Sequence, residues 1–235
     1  VREGSAVELD GMINLYKPVG LASARALDRV RRLTGQRKSG YAGTLDPAAE
    51  GVLLVVLGRA TKCVERLMDL PKTYLTTLRL DVTSDGFDSE GEIREVTVAR
   101  PPSREEIEAA LRAFVGTIEQ VPPTRSAVKV GGQPAYKRAR RGEALDLRPR
   151  PARIDRITLC HYAWPVLEIE VACGRGTYIR AIARDLGVAL ATGGCLTRLV
   201  RTAVGPYTAA DAWTLERLGQ STDVRSAVVP LDRLA

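Results

Sequence analysis

The sequence predicts a mixed α/β or α+β fold, with a sheet flanked by helices in one core domain. Helical and strand-like patterns alternate along the 235 residues, which favours a sheet covered by helices. Some strands follow one another with no helix between them, so hairpins are expected as well. Hydrophobic residues make up 45% of the chain, enough for a sizeable core. Neither an internal repeat nor a low-complexity linker divides the chain, which favours a single core domain.

Patterns in the first half predict, in order, a strand over 11–18, a helix over 23–34, a strand over 52–57, a helix over 60–70, a strand over 72–82 and a helix over 103–114. The first helix is expected to be capped by Ser23 and to end at Gly35. The run over 52–57 is continuously apolar, the type that is buried on both faces of a sheet. Ser103 and Glu106 predict a capping box ahead of an apolar helical repeat.

Patterns in the second half predict strands within 114–131 around Pro122 and Pro123, a basic helix over 135–142, a hairpin over 153–173, a helix over 176–190, a strand over 195–205 and a helix over 208–219. Four residues share one side of the helix that starts near 176 and are expected to face the core: Ile179, Ile182, Ala183 and Leu186. The last helix is expected to be capped by Thr208 and to pack back on the core.

Cysteine and histidine usage argues against a zinc site. Four cysteines are scattered along the chain without a Cys-x-x-Cys pair, and His161 is the only histidine. This usage is typical of a reducing, cytoplasmic setting, and we interpret His161 as an ordinary strand residue. The longest apolar runs hold about six residues, too few to span a membrane, and residues 1–10 lack the apolar core of a signal peptide. We therefore expect a cytoplasmic protein with no metal and no membrane association.

Positive charge is concentrated in one segment. The chain carries 35 Lys and Arg against 28 Asp and Glu, a net charge of +7. Between residues 125 and 153 lie nine basic and two acidic residues, so this segment accounts for the whole excess. A concentrated excess favours a surface that binds a polyanion. The alternative is a solvated helix face.

Asp46 lies on a glycine-rich turn ahead of a strand-like apolar run. It lies among Gly40, Gly43, Pro47 and Gly51 in the segment GYAGTLDPAAEG. One interpretation is a plain turn, because Asp-Pro favours turn initiation and Asp can hydrogen-bond its own backbone. The other is a reactive carboxylate on a bend that a substrate can approach closely. On this stretch alone the plain turn is the favoured interpretation.

Taken in order, six segments of the chain resemble the TruB family of tRNA pseudouridine synthases over nearly its full length. They are INLYKPVGLAS, GTLDPAAEGVLLVVLGRATK, KTYLTTLRLDVTSDGFDSEGE, PPTRSAVKVGGQPAYKRARRGE, CGRGTYIRAIARDLG and LVRTAVGPY. Each segment alone is a weak signal, whereas six in the right order and at sensible spacing are specific. Because the turn matches the family's catalytic loop, the resemblance favours the reactive interpretation of Asp46. It also implies a pseudouridine synthase fold with a mostly antiparallel sheet.

The resemblance implies an isomerase that converts a uridine in the T loop of tRNA, at position 55, to pseudouridine without a cofactor or a metal. The base is flipped into the site, the C1′–N1 bond breaks and C5 bonds to C1′. Asp46 is implied as the catalytic carboxylate, acting as a nucleophile or as a base at the ribose. Arg180 in GTYIR matches the cation that keeps such a carboxylate ionised. Tyr74 in KTY matches a tyrosine that stacks on the flipped uracil and takes the C5 proton.

Further residues are implied in substrate binding: Tyr41, Tyr178, Leu199, Lys17, Lys62, Arg138, Arg140 and Arg141. The ordinary alternatives are strand or core packing for the apolar and aromatic residues and solvated surface charge for the three arginines. Lys17 and Lys62 are interpreted as supports for the motif loops or as phosphate contacts. Tyr41 departs from the family, because most bacterial members carry a histidine there that enters the T loop. We expect Tyr41 to replace it as an aromatic wedge. The family also has an aromatic at the position of Arg125, and TSDGFD replaces a Thr-Asp-Thr pattern.

The resemblance divides the chain into an N-terminal extension (1–10), a catalytic domain (11–207) and a short C-terminal helix with a tail (208–235). Residues 122–153 correspond to a basic, thumb-like segment that clamps the T arm. A C-terminal PUA-like domain is not expected, so recognition is expected to stay within the T arm. The expected partner is tRNA, with no guide RNA, and the chain is expected to act as a monomer.

Two other functions remain open at this point. One is an RNA-binding or RNA-folding module that keeps the scaffold without the chemistry, which the presence of Asp46, Tyr74 and Arg180 disfavours. The other is a guide-RNA-dependent synthase, which the expected lack of a PUA-like domain disfavours.

Overall fold

The computed structural model describes residues 9–124, 126, 128–130, 132–135, 138, 141, 143 and 146–234. In this part of the chain the α-helices are α1 (Ser23–Thr34), α2 (Val64–Asp69), α3 (Arg104–Arg112), α4 (Ile179–Ala189) and α5 (Leu215–Gln220). The strands are β1 (Gly11–Lys17), β2 (Ser39–Ala42), β3 (Glu50–Leu57), β4 (Lys72–Arg79), β5 (Val82–Ser84), β6 (Ile93–Glu95), β7 (Gly116–Gln120), β8 (Lys129–Val130), β9 (Gln133–Pro134), β10 (Arg150–Ala163), β11 (Val166–Cys173), β12 (Cys195–Val204), β13 (Tyr207–Thr208), β14 (Trp213–Thr214) and β15 (Val228–Pro230). Short 3-10 helices cover Gly58–Cys63, Val224–Ala227 and Leu231–Arg233.

The chain divides into two compact units. The first joins Val1–Tyr74 to Val200–Ala235, and the second is Leu75–Leu199. Strands β4 and β12 each contribute residues to both units. In the first unit the strand order is β14-β1-β3-β12-β4, with β15 paired to β1, β2 to β3 and β13 to β12. In the second unit the order is β12-β4-β11-β10-β7, and β5–β6 and β8–β9 form separate two-stranded ribbons.

The sheet is mixed, as the sequence predicts, and mostly antiparallel. The pairs β1–β3, β2–β3, β1–β15, β7–β10, β10–β11 and β12–β13 are antiparallel. The pairs β1–β14 and β3–β12 are parallel. Because strands from distant parts of the chain are brought side by side in this way, residues 51 and 201 become direct neighbours on β3 and β12.

Strand β3 lies at the centre of the first unit because both of its faces are covered. Its alternate residues enter two clusters on opposite faces. The α1 cluster comprises Ile13, Leu15, Ala26, Leu27, Val30, Leu53, Val55, Leu57, Leu218 and Ala227. The α2 cluster comprises Met12, Ala42, Val52, Leu54, Val56, Ala60, Leu67, Val204 and Leu234. The prediction that the run over 52–57 is buried on both faces is therefore confirmed.

Two predicted helix caps are wrong. Ser23 is the first residue of α1, whose N-cap is Ala22, and the Ser23 side chain makes no capping bond. Thr208 lies in β13, and the last helix, α5, begins at Leu215 with Thr214 as its N-cap. The Ser23 hydroxyl donates to the Leu45 carbonyl, and the Thr208 hydroxyl donates to the Asp211 carboxylate. Ser and Thr side chains bond whichever polar group the tertiary fold brings near.

Other local predictions are confirmed. Gly35 ends α1 in the left-handed region (φ 67°), a conformation that costs glycine little. Ser103 and Glu106 form the complete capping box of α3. In α4 the four residues predicted to face the core are all buried. The hairpin is β10–β11, and His161 is an exposed residue of β10.

Part of the predicted basic, thumb-like segment falls outside the described residues, namely Arg125, Lys137, Arg140 and most of the predicted helix over 135–142. Across the described ranges, no α-helix combines the length and the apolar character needed to cross a lipid bilayer.

Candidate active-site loop and buried arginine

Asp46 lies on a loop between β2 and β3, where it is half-buried. We call residues 43–52, which include the first three residues of β3, the Asp46 loop. Its turn is closed by a hydrogen bond from the Ala49 amide to the Asp46 carbonyl (3.1 Å). The Gly20 amide donates to the Pro47 carbonyl at 2.7 Å. The backbone on the C-terminal side of Asp46 is therefore held from within the loop and from the segment that follows β1.

The residue before Asp46 is held by Ser23. The Ser23 hydroxyl donates to the Leu45 carbonyl (2.8 Å) and accepts from the Leu45 amide (2.9 Å). Ser23 is 3% exposed, so both bonds are shielded from water. A hydroxyl is suited to this role because it both donates and accepts.

Arg201 on β12 holds the two ends of the loop, although it is only 2% exposed. Its Nε donates to the Val52 carbonyl (2.7 Å), and its Nη2 and Nη1 donate to the carbonyls of Gly43 (3.1 Å) and Thr44 (3.4 Å). A buried guanidinium is tolerated where its N–H groups find acceptors, and the planar fork lets one side chain bond several carbonyls.

Lys17 at the end of β1 is a second fully buried cation beside the loop. Its Nζ donates to the carbonyls of Ala49 (2.6 Å), Leu21 (2.7 Å) and Pro18 (2.9 Å). The sequence interpretation of Lys17 as a support for the loop or a phosphate contact remains a prediction. The bonds in the structure favour the support role, because the side chain is turned into the protein.

Gly51 is required where the loop enters β3. It has φ 108°, and a Cβ atom there would lie 2.2 Å from the carbonyl oxygen of Arg201. Only glycine allows this conformation and this close approach of β12. Gly51 thus serves the packing of β3 against β12 at the end of the loop.

The other candidates in the first unit differ in exposure. Tyr41 is a half-buried residue of β2, opposite Val55 on β3, and its ring packs against the α1 cluster. Tyr74 is half-buried in β4. Lys62 is an exposed residue of a 3-10 helix. The roles assigned to these residues remain predictions.

In the second unit Arg180 lies in the first turn of α4 and is 6% exposed. Its Nη1 lies 3.1 Å from a carboxylate oxygen of Asp88, which is 4% exposed, and 3.4 Å from the Gly86 carbonyl. Asp88 belongs to the TSDGFD segment noted for its departure from the family pattern. This pair orients the Arg180 guanidinium within its unit.

Tyr178 is the N-cap residue of α4. The side chain of Gln120, which is 2% exposed, accepts from the Tyr178 amide (2.8 Å) and donates to the Tyr178 carbonyl (3.1 Å). These two bonds fix the backbone at the start of the helix that carries Arg180. Leu199 is buried in β12.

Two candidate RNA contacts in the basic segment have an acidic neighbour. Arg138 Nε lies 2.5 Å from a Glu143 carboxylate oxygen, and Arg141 Nη1 lies 3.8 Å from the other oxygen. Because Glu143 partly offsets both charges, this part of the segment is less cationic than its arginine content suggests.

Four residues at these sites were missed as sequence candidates: Ser23, Arg201, Asp88 and Gln120. One signal for Arg201 was available, since an arginine inside the strand-like segment LVRTAVG has to be exposed or specifically bonded. Within the described ranges, no three His, Cys, Asp or Glu residues lie close enough together to hold a metal ion.

Comparisons with known proteins identify the family of the chain. A family model described as TruB family pseudouridylate synthase (N terminal domain) matches residues 31–179, and one described as tRNA pseudouridylate synthase B C-terminal domain matches residues 180–235. The chain is 45% identical over 223 residues to a protein of Arthrobacter sp. (strain FB24) named tRNA pseudouridine synthase B, covering 92% of this chain and 72% of that one. It is 44% identical over 232 residues to the protein of the same name from Bordetella pertussis, covering 96% and 93%.

Among solved structures, the fold is similar to a chain of a Cbf5-Nop10-Gar1 complex with a TM-score of 0.73 and 27% identity, covering 94% of this chain and 60% of that chain. A chain of the archaeal box H/ACA sRNP Nop10-Cbf5 complex gives 0.70 and 25%, again with 60% of that chain covered. Two family models that together span residues 31–235, and relatives matched over most of their length, show that the chain belongs to the TruB family of pseudouridylate synthases.

Proposed function

We propose that this chain converts a uridine of tRNA to pseudouridine, that the target is position 55 in the T loop, and that neither a metal nor a cofactor takes part. The family is one of pseudouridylate synthases, and the relatives from Arthrobacter and Bordetella are named for tRNA. The observation that carries the proposal is the Asp46 loop. The Asp46 carboxylate lies on a turn whose backbone is anchored on both sides, in the segment that resembles the family's catalytic loop.

The reaction is an isomerisation, so every atom is retained. The glycosidic C1′–N1 bond breaks, the uracil turns within the site, C5 bonds to C1′, C5 loses its proton and N1 gains one. No redox step occurs. A stacked uridine cannot present these atoms, so the base has to be flipped out of the loop.

In the proposal Asp46 acts as the nucleophile at the ribose or as a base there. Arg180 is assigned as the cationic residue of the proposed site. Tyr74 stacks on the uracil and accepts the C5 proton late in the reaction. The Asp88 pair supports the assignment of Arg180, because an arginine held at 6% exposure is pre-oriented and is not a mobile surface charge.

Binding of the T arm is assigned to Tyr41, Tyr178 and Leu199 at the base and to Lys62, Arg138, Arg140 and Arg141 at phosphates. The basic segment over 122–153 acts as the clamp. Phosphate contacts position RNA without reading its sequence, whereas the flipped base and its loop neighbours specify the target. We further propose that the protein works as a monomer in the cytoplasm, where the four free cysteines stay reduced.

The decisive experiment is incubation of the purified chain with an unmodified tRNA transcript, followed by pseudouridine mapping. We expect one modified uridine, at position 55, with repeated turnover. Asp46→Asn is expected to abolish turnover while RNA affinity stays within a few-fold, because the amide keeps the shape but cannot attack or take a proton. Multiple turnover by Asp46→Asn, or modification at another site alone, would contradict the proposal.

A guide-dependent activity is the second candidate, because the solved structures with similar folds come from Cbf5 complexes. The same assay separates the two functions. Turnover by the chain with transcript alone favours the stand-alone enzyme. Turnover that appears only after a guide RNA and partner proteins are added favours the guide-dependent one.

A further inference from the structure

We propose that Arg201 is a positioning residue for Asp46, and that its buried guanidinium ties the two ends of the Asp46 loop so that the carboxylate keeps one place during the reaction. The inference rests on the proposed function, in which Asp46 carries the chemistry. Arg201 itself touches only backbone groups of the loop and of β3 in the hydrogen bonds described above.

The geometry shows how one residue reaches both ends. The backbone of Arg201 pairs with Gly51 in the parallel β3–β12 ladder. Its side chain then turns back to the Val52 carbonyl on one end and to the carbonyls of Gly43 and Thr44 on the other. The β2–β3 ladder brings the two ends side by side, with Ala42 opposite Leu54, and the guanidinium adds hydrogen bonds to both ends.

A tie made by a side chain restricts the loop further, because each end of the loop contains a glycine. Gly43 has φ 79° and Gly51 has φ 108°, and glycine has more backbone freedom to lose than any other residue. Ser23 holds the middle of the loop and Lys17 holds Ala49, but neither bonds Gly43, Thr44 or Val52 in the hydrogen bonds described above. Without Arg201 the start of the loop would lose its side-chain anchor.

A buried cation at position 201 indicates that this residue orients the backbone of the loop, because packing alone does not require a charge. An apolar side chain of similar volume would fill the space without the cost of removing a charge from water. A lysine would keep the charge but cannot bond carbonyls in three directions of one plane. The fork of arginine is the feature that matches the three carbonyls.

The test uses Arg201→Lys and Arg201→Met, with Arg66→Met as the matched control. Arg66 is an exposed arginine of the same unit whose guanidinium also donates to a backbone carbonyl, that of Leu234 (3.3 Å). For each protein we would measure the single-turnover rate at saturating tRNA transcript, the Kd for the transcript, the melting temperature, and amide hydrogen exchange in peptides covering 40–54 and 150–173.

We expect Arg201→Lys to stay folded, to bind the transcript within about threefold of the wild type, and to lose about 100-fold in single-turnover rate, the loss that a misplacement of about 1 Å produces. Exchange should rise over 40–54 and stay unchanged over 150–173. Arg201→Met should show a larger loss in rate, and Arg66→Met should match the wild type in every measurement except melting temperature.

Two results would overturn the inference. One is a wild-type rate in folded Arg201→Lys. The other is a rate that falls only in proportion to the folded fraction, with exchange raised equally in both peptides, since that describes a purely structural residue. Asp46→Asn, measured alongside, separates the two proposals. If Asp46→Asn turns over, the proposed function fails; if it is inactive while Arg201→Lys matches the wild type, only the inference fails.

Discussion

At the scale of single residues, buried polar side chains hold the Asp46 loop and the Arg180 side chain, which carry the proposed catalytic groups. Ser23, Lys17 and Arg201 bond the backbone of the Asp46 loop, while Asp88 holds Arg180. Buried polar groups are stable only when their hydrogen bonds are made, so each of these contacts is costly to remove.

The Arg180–Asp88 pair gives the first residue-scale prediction. Both side chains are more than nine-tenths buried, so Asp88→Ala leaves a buried guanidinium without its carboxylate and should destabilise the protein by about 3–5 kcal/mol. The double variant Asp88→Ala/Arg180→Met should be more stable than Asp88→Ala alone, because the buried charge that has lost the Asp88 carboxylate is gone as well. Urea unfolding of the four proteins in the cycle measures this coupling. Strictly additive losses would show that the pair contributes nothing to stability.

Tyr41 gives the second prediction at the scale of single residues. If its ring stacks on a base of the T loop, Tyr41→Ala should lower catalytic efficiency by the equivalent of about 1–3 kcal/mol, and Tyr41→His should be nearly neutral because stacking needs only a π-face. The ring also packs against the α1 cluster, so urea unfolding has to be measured on both variants. Wild-type efficiency in Tyr41→Ala, together with a loss of stability, would leave Tyr41 as a packing residue.

At the scale of elements, α3 shows how local signals set a helix and how its stability should depend on pH. The Arg100 guanidinium lies 2.6 Å from the Glu106 carboxylate, and this bond, with the Ser103 amide, lowers the pKa of Glu106 from 4.5 to about 2. A carboxylate with a lowered pKa stabilises the folded state above its unfolded pKa, and the stabilisation is lost as the pH falls toward its folded pKa.

Arg100→Gln removes the larger of these two contacts, so the variant should be less stable than the wild type at neutral pH. The difference should shrink as the pH falls from about 4.5 to about 2, because Glu106 becomes protonated in the wild type as well. Urea unfolding at a series of pH values measures the difference. We expect it to be small, since the pair is exposed to solvent, and to shrink in high salt. A difference that stays constant over this range would show that Arg100 acts through packing.

At the scale of the whole chain, the first unit is assembled from both ends of the sequence. Helix α5 adds Leu218, which is 1% exposed, to a cluster built mainly from α1, β1 and β3. The predicted packing of the last helix on the core is thus confirmed, although the helix is shorter than expected. Residues after 200 are required to complete a core that begins near residue 13.

Leu218→Ala should therefore destabilise the protein by about 2–5 kcal/mol, the usual cost of a cavity at a buried leucine. Val19→Ala is the matched control, because Val19 is 62% exposed in the same unit and should change stability by no more than about 0.5 kcal/mol. Thermal and urea unfolding measure both. Equal, small effects would mean that α5 does not belong to the cooperative core.

The sequence by itself determined the features that depend on near neighbours in the chain. The apolar run of β3, the left-handed Gly35, the capping box of α3 and the inner face of α4 all follow from residues within a few positions of one another. The order of six motif segments determined the family and singled out Asp46, Tyr74 and Arg180.

Only the tertiary structure decided which groups the buried polar side chains bond. Arg201 bonds carbonyls that lie 149–158 residues away in the chain, and Arg180 pairs with Asp88 across more than half of the second unit's sequence. Serine is a residue type that often caps helices, yet Ser23 bonds the backbone of Leu45, because the fold brings that peptide within reach. A hydrogen bond forms only with an acceptor that lies about 3 Å from the donor. For residues far apart in the chain, the tertiary fold decides which acceptors come that close, and their spacing in the sequence does not.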